Sequence, residues 1–142
     1  MGEQLEVTVN LTNQKVQFTG VSRFNPAVIF DYSPPLGDGQ GYTGLEMLLM
    51  SFAACSGTSV VALLRKMGKK VSEFKVMARG IRRDEHPTSF EKISVLFVLT
   101  SEDTKDADIR KAIQLSKEKI CPVWDMLKGN VEIITEHRII AS

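Results

Sequence analysis

Leu45–Met67 reads LEMLLMSFAACSGTSVVALLRKM, and this stretch decides the fold. Leu45, Leu48, Leu49, Phe52, Ser56, Ser59, Val60, Leu63, Leu64 and Met67 keep the i, i+3, i+4 spacing of one helix face for about six turns, with a stop expected near Gly68. Ala53, Ala54, Ser56 and Gly57 make the middle slender, so the helix is expected to be central and closely crossed by another element. Thr43-Gly44-Leu45-Glu46 at its start is a capping box, in which Glu46 reaches back to the amide of Thr43. Cys55 stands at the edge of the apolar face, three residues after Phe52 and four before Ser59, so its sulfur should be half-buried.

On the N-terminal side, Val7, Val9 and Leu11 alternate with polar residues, and Val16 and Phe18 repeat the pattern after Thr12-Asn13-Gln14. Ala27–Tyr32 (AVIFDY) completes three short strands, read as an antiparallel meander. Ser33–Gly44 (SPPLGDGQGYTG) is a loop by its proline, glycine and aspartate content. On the C-terminal side, Val71–Arg83 and Phe90–Thr100 form a hairpin across Asp84–Thr88. Thr104-Lys105-Asp106 begins a second helix carrying Ile109, Ala112, Ile113, Ser116 and Ile120 on one face. Pro122 breaks it, because proline disfavours helical geometry in the residue before it. Val123–Leu127 is a short third helix ended by Gly129-Asn130, and Val131–Ile140 is a last strand. The order β-β-β-α-β-β-α-α-β is an α+β arrangement.

A chain of 142 residues with 43% hydrophobic content is the size of one domain, here taken as 1–142. Eighteen basic and seventeen acidic residues leave a net charge of +1, which gives no electrostatic case for nucleic acid or an anionic membrane surface. The N-terminus lacks the basic and apolar regions of a secretory signal, and no stretch approaches the roughly twenty apolar residues of a membrane span. A soluble, cytoplasmic protein is expected. In a reducing compartment, Cys55 and Cys121 are poor candidates for a standing disulfide, although a transient catalytic one is allowed.

Gly39-Gln40-Gly41-Tyr42-Thr43-Gly44 matches GxGxxG in form only. A dinucleotide site needs those glycines directly after a strand in a βαβ unit, with an acidic residue about twenty positions on, and neither condition is met. No cofactor is expected. Cys55, Cys121, His86 and His137 have no metal-ligand spacing, so no metal is expected, and both histidines are read as solvent-facing. Cys121 is different: Cys121-Pro122 puts it at the N-cap of the third helix, where free amides and the dipole favour a negative sulfur. A buried cysteine acting as a small hydrophobe is the competing reading. Glu46 and Cys55, nine residues apart, fall on opposite sides of a straight helix and roughly 13 Å apart along it. Any service of Glu46 to the thiol would therefore come from a second copy of the helix.

Three segments together resemble the OsmC/Ohr family of osmotically inducible and organic-hydroperoxide-resistance proteins, in particular its OsmC-like branch. These are LEMLLMSFAACSGTSVVALLRKMGKKV, GIRRDEHPTSFEKISVLFVL and AIQLSKEKICPVWDML, and the likeness runs from about Val16 to Ile139. It implies an intertwined homodimer in which antiparallel six-stranded sheets wrap the paired central helices. It also implies a thiol-dependent peroxidase for small apolar organic hydroperoxides. Cys55 would be the nucleophile that forms a sulfenic acid, and Cys121 would resolve it as a disulfide. An external dithiol electron donor would reduce that disulfide. The resemblance places Glu46 in the family's glutamate position. The family's arginine has no counterpart in the strand AVIFDY, and Arg23 in TGVSRFNP is the best candidate, ahead of Arg82 and Arg83. A non-catalytic redox-sensing or small-ligand-binding dimer is the rival reading, and thiol reactivity separates the two.

Overall fold

The computed structural model describes residues 2–141 and divides into two compact units, one ending at Leu48 and the other beginning at Leu49. In the first, β1 (Thr8–Leu11), β2 (Phe18–Val21) and β3 (Val28–Phe30) form the antiparallel meander read from the sequence. Asn13 shapes the first turn: its side-chain oxygen accepts the amides of Lys15 at 2.9 Å and Gln17 at 3.1 Å. The 33–44 loop is organised by Asp31, which is buried. Its carboxylate accepts the N–H groups of Tyr32 (2.8 Å), Asp38 (3.2 Å) and Gln40 (3.0 Å). The Gln40 amide foremost, then that of Tyr32, holds this carboxyl below its ordinary value.

The long helix α1 (Gly44–Lys66) opens on the expected capping box: the Thr43 amide donates to Glu46 Oε1 at 2.9 Å, and the Glu46 amide donates to Thr43 Oγ1 at 3.2 Å. Contrary to the sequence reading, α1 is by length and composition apolar enough to cross a membrane. Its run of apolar residues is interrupted only by small polar ones, and in the second unit Phe52, Ser56, Ser59, Val60 and Leu64 are buried in protein, so it is also what a core helix requires.

In the second unit, β4 (Val71–Arg82) and β5 (Phe90–Ser101) form the expected antiparallel hairpin. β5 supplies the centre of the core through Ile93, Val95, Phe97 and Leu99. Gly57 allows α1 its close approach to β4, since a Cβ there would lie 3.0 Å from Val76 Cγ2. After β5 come α2 (Asp106–Leu115), a π-helical turn (Ser116–Ile120), α3 (Pro122–Leu127) and β6 (Glu132–Ile140). The mixed α+β element order matches the sequence reading.

The sheets differ from that reading in two respects. They are two separate three-stranded sheets, β1-β2-β3 and β4-β5-β6, and not one six-stranded antiparallel sheet, and β6 runs parallel to β5. The physical reason is the connection: the helical run from Asp106 to Leu127 is a crossover long enough to bring the chain back in the same direction, which no tight turn can do. The second helix also does not stay α-helical to Ile120, because its last turn widens to π geometry. His137 is not solvent-facing: its side chain is 19% exposed and its Nε2 pairs with Asp106 Oδ1 at 2.5 Å, tying β6 to the start of α2.

Gly57→Val should overpack the contact with Val76 and cost about 1–3 kcal/mol, read as a lower denaturation midpoint with an unchanged m-value. A carboxyl lowered on folding stabilises above its ordinary pKa and loses that contribution as pH falls through the lowered value. Acidification to below the ordinary carboxyl value should therefore lower the hydrogen-exchange protection factors of the Asp38 and Gln40 amides, measured relative to the intrinsic rate at each pH. In Asp31→Asn the same exchange should be fast already at neutral pH.

Candidate functional site

Cys55 on α1 and Cys121 at the head of α3 are brought together although they lie far apart in the chain. Both are free thiols packed in the same cluster. Cys121 is the N-cap of α3, as expected: Pro122 occupies the first helical position, and the Trp124 amide donates to Cys121 Sγ at 3.4 Å. The π-helical turn aims that sulfur. The Cys121 amide donates to Ser116 O at 2.9 Å, five residues back instead of four, so one extra residue is absorbed before Pro122. Cys121 Sγ then lies 3.5 Å from Ser56 Oγ on α1, and only 2% of the residue is exposed.

A ladder of buried hydroxyls joins the two helices. Ser59 Oγ lies 2.5 Å from Ser116 Oγ and donates to Ser56 O at 3.0 Å. One turn away, Phe52 and Trp124 meet edge to face with ring centroids 5.3 Å apart. The Trp124 indole N–H has no hydrogen-bond partner among the described residues.

Cys55 is half-buried, as the helical spacing anticipated. Burial raises its thiol pKa above the ordinary value, and the neighbouring Cys121 thiol raises it further. The Val123 N–H, at the start of α3, acts in the opposite direction by favouring the thiolate. The start of α3 thus bears on both sulfurs: the Trp124 amide donates to Cys121, and the Val123 N–H eases the ionisation of Cys55. On its other side, Cys121 borders a depression of about 350 Å³ whose rim includes Lys117, Lys119 and Asp125.

The remaining expected site residues belong to the first unit. Glu46 is engaged in its capping box, and Arg23 stands in the turn after β2 with φ 56°, a backbone conformation uncommon for arginine. Arg82 braces the β4–β5 hairpin through Thr88, and Arg83 through Glu85. No cluster of three or more metal-ligating side chains occurs among the described residues. The sequence reading had placed Ser56, Ser59 and Ser116 on apolar faces without a role. Their signal was a hydroxyl at each place where a helix face otherwise demanded a hydrocarbon.

An α+β chain with a long central helix, one thiol mid-helix and another capping a later helix defines a dithiol protein class, and comparison with known proteins identifies it. The family model for OsmC-like proteins matches residues 37–136, and the chain belongs to that family. Protein YhfA of Escherichia coli (strain K12) is 37% identical over 98 residues, which is 69% of this chain and 73% of that protein. A hypothetical protein from Aquifex aeolicus VF5 superposes with TM-score 0.87 at 26% identity, over 99% of both chains. An organic hydroperoxide resistance protein from Elizabethkingia anophelis shares the fold, with TM-score 0.72 at 15% identity over 99% of both chains.

Because the thiolate is the reactive form and the Cys55 pKa is raised, iodoacetamide should label Cys55 slowly at neutral pH. The rate should climb with pH and continue to climb beyond about pH 8.5, where an unperturbed thiol is half ionised. Cys121, almost fully enclosed, should label more slowly than Cys55 in the folded protein. Peptide-resolved alkylation kinetics check both statements.

Proposed function

We propose that the protein is a thiol-dependent peroxidase that reduces small apolar organic hydroperoxides through a two-cysteine cycle, in defence against oxidative stress. The observation that carries this reading is the juxtaposition of Cys55 and Cys121 within one buried cluster. The Cys55 thiolate attacks the terminal peroxide oxygen: an S–O bond forms, the O–O bond breaks, and the alkoxide leaves and takes a proton to become the alcohol. The Cys121 sulfur then attacks Cys55, so that an S–S bond forms and the S–O bond breaks, and the hydroxyl departs with the Cys121 proton as water. An external dithiol restores both thiols, and no bound cofactor is required.

Family membership and the organic hydroperoxide resistance proteins among its structural relatives support this chemistry. Glu46 and Arg23 are proposed to hold the thiolate and polarise the peroxide. A cation is what a thiol raised by burial needs in order to ionise near neutrality. A cytoplasmic homodimer is proposed as the working form. Its support is the exposed apolar surface of the first unit, where Leu5, Val7, Val9 and Leu11 are uncovered and Phe24 is fully so. The raised Cys55 thiol favours a second reading, a non-catalytic redox-sensing or ligand-binding dimer that reacts slowly or only at high peroxide.

Reduced protein briefly exposed to cumene hydroperoxide should lose two hydrogens by intact mass, with a peptide map linking Cys55 to Cys121, and should respond more weakly to hydrogen peroxide. Cys55→Ser should lower turnover by about three orders of magnitude or more, and Cys121→Ser should accumulate sulfinic acid at Cys55. Thiols that stay reduced would select the second reading. Sedimentation equilibrium should return twice the monomer mass.

A further inference from the structure

The two thiols are not equivalent, and the difference assigns a direction to the reductive half of the cycle. We infer that Ser56 is a catalytic residue of disulfide reduction: with the Trp124 amide it receives Cys121 as the leaving thiolate, so that the electron donor attacks Cys55. The inference rests on the dithiol cycle proposed above for its physiological setting, but not for its test.

Two donors converge on Cys121 Sγ, the Ser56 hydroxyl at 3.5 Å and the Trp124 amide at 3.4 Å. A thiolate can only accept hydrogen bonds, so once Cys121 carries the negative charge, the Ser56 hydroxyl must be the donor of that pair. Cys55 is disfavoured as an anion first by burial and then by its neighbour, against which the nearby Val123 N–H acts. In thiol–disulfide exchange, the sulfur whose partner departs more easily as thiolate is the one attacked. Access points the same way. Cys55 is half-buried, whereas Cys121 is 2% exposed with its sulfur turned toward Ser56 and away from solvent.

The step balances as follows. A donor thiolate forms an S–S bond to Cys55 Sγ as the Cys55–Cys121 bond breaks, and the electron pair goes to Cys121 Sγ, which Ser56 and Trp124 stabilise. The second thiol of the donor, deprotonated, attacks the donor sulfur of the mixed disulfide. Cys55 leaves as thiolate, the donor becomes a disulfide, and the two protein thiolates take up protons. Hydrogen bonds to charged groups are worth about twofold more than neutral ones, so the loss of one donor from Cys121 should slow reduction about tenfold.

The test makes the disulfide with diamide, so that peroxide chemistry is not involved. The purified full chain is oxidised, treated with a limiting amount of the monothiol glutathione, quenched in acid at early times and mapped by mass spectrometry. Glutathione should be found on Cys55, with Cys121 free, in a ratio of about ten to one or greater. Ser56→Ala should be reduced about tenfold more slowly and should carry a larger share of adduct on Cys121. A purely structural role for Ser56 would leave that partition unchanged. Adduct on Cys121, which attack through the depression beside Lys117 and Lys119 would give, overturns the inference, as does an equal distribution. Failure of diamide to link the two cysteines also overturns it. Should Ser56→Ala not fold, the partition in the unsubstituted protein decides alone. If peroxide fails to oxidise the protein while the diamide disulfide opens at Cys55, the peroxidase reading falls and this one stands.

Discussion

The dithiol arrangement depends on how α1 meets the helical run from Asp106 to Leu127, and that contact is made through hydroxyl groups. Ser56, Ser59 and Ser116 are buried where aliphatic side chains would ordinarily fill a helix crossing. Each hydroxyl finds a partner, so the polar cluster is satisfied and does not burden the core. Its value is positional. A satisfied hydrogen bond adds about 1 kcal/mol, whereas a buried hydroxyl without a partner costs about 1–3 kcal/mol. Sliding α1 by one residue would orphan several of them together. An apolar crossing tolerates such slips far better, because dispersion contacts re-form in many registers. The pair Phe52–Trp124 on one side and Gly57 against Val76 on the other then fix tilt and depth.

Much of this was readable in the sequence because its causes are local. The 3.6-residue period of Leu45–Met67, the Thr43–Glu46 capping box, the hairpin around Asp84–Thr88 and the helix break at Pro122 all express constraints between residues a few positions apart. What escaped is non-local. Alternation marks Val131–Ile140 as a strand but does not say which neighbour it joins or in which direction, so its parallel pairing with β5 was missed. His137 was read as exposed because its partner, Asp106, lies on another element. The π-helical turn has no compositional signature, since Ser116-Lys117-Glu118-Lys119-Ile120 suits an ordinary helix equally well. Of the site, the two cysteines were legible and the serines beside them were not. Their spacing suits an apolar face, and only their packing gives the hydroxyls a purpose.

That missed π-helical turn has the largest consequence for chemistry. Absorbing one extra residue rotates everything after it by about 100° relative to a continuous α-helix. Cys121 thereby arrives at α1 with its amide satisfied by Ser116 O and its sulfur facing Ser56. Pro122 completes the arrangement: lacking an N–H, it takes the first position of α3 at no cost, and of the next two amides Trp124's donates to Cys121 while Val123's favours the Cys55 thiolate. One helix start therefore serves both thiols.

Two thiols placed side by side create an electrostatic problem that this geometry resolves unevenly. Burial, and then the neighbouring Cys121 thiol, raise the cost of ionising Cys55. Here the burden falls on Cys55, whose thiol is raised, while the extra hydroxyl donor is given to Cys121. A thiol held mostly protonated is intrinsically the stronger nucleophile once ionised, because nucleophilicity rises with thiol pKa, which suits the role proposed for Cys55. In the proposed cycle, the thiol that departs when the disulfide is opened needs the opposite treatment, a ready stabilisation of its charge. The side chain of Ser56 lies one residue beyond Cys55 on α1, on the buried side of the helix. Through it, the helix that carries Cys55 also places a hydroxyl against the sulfur of Cys121.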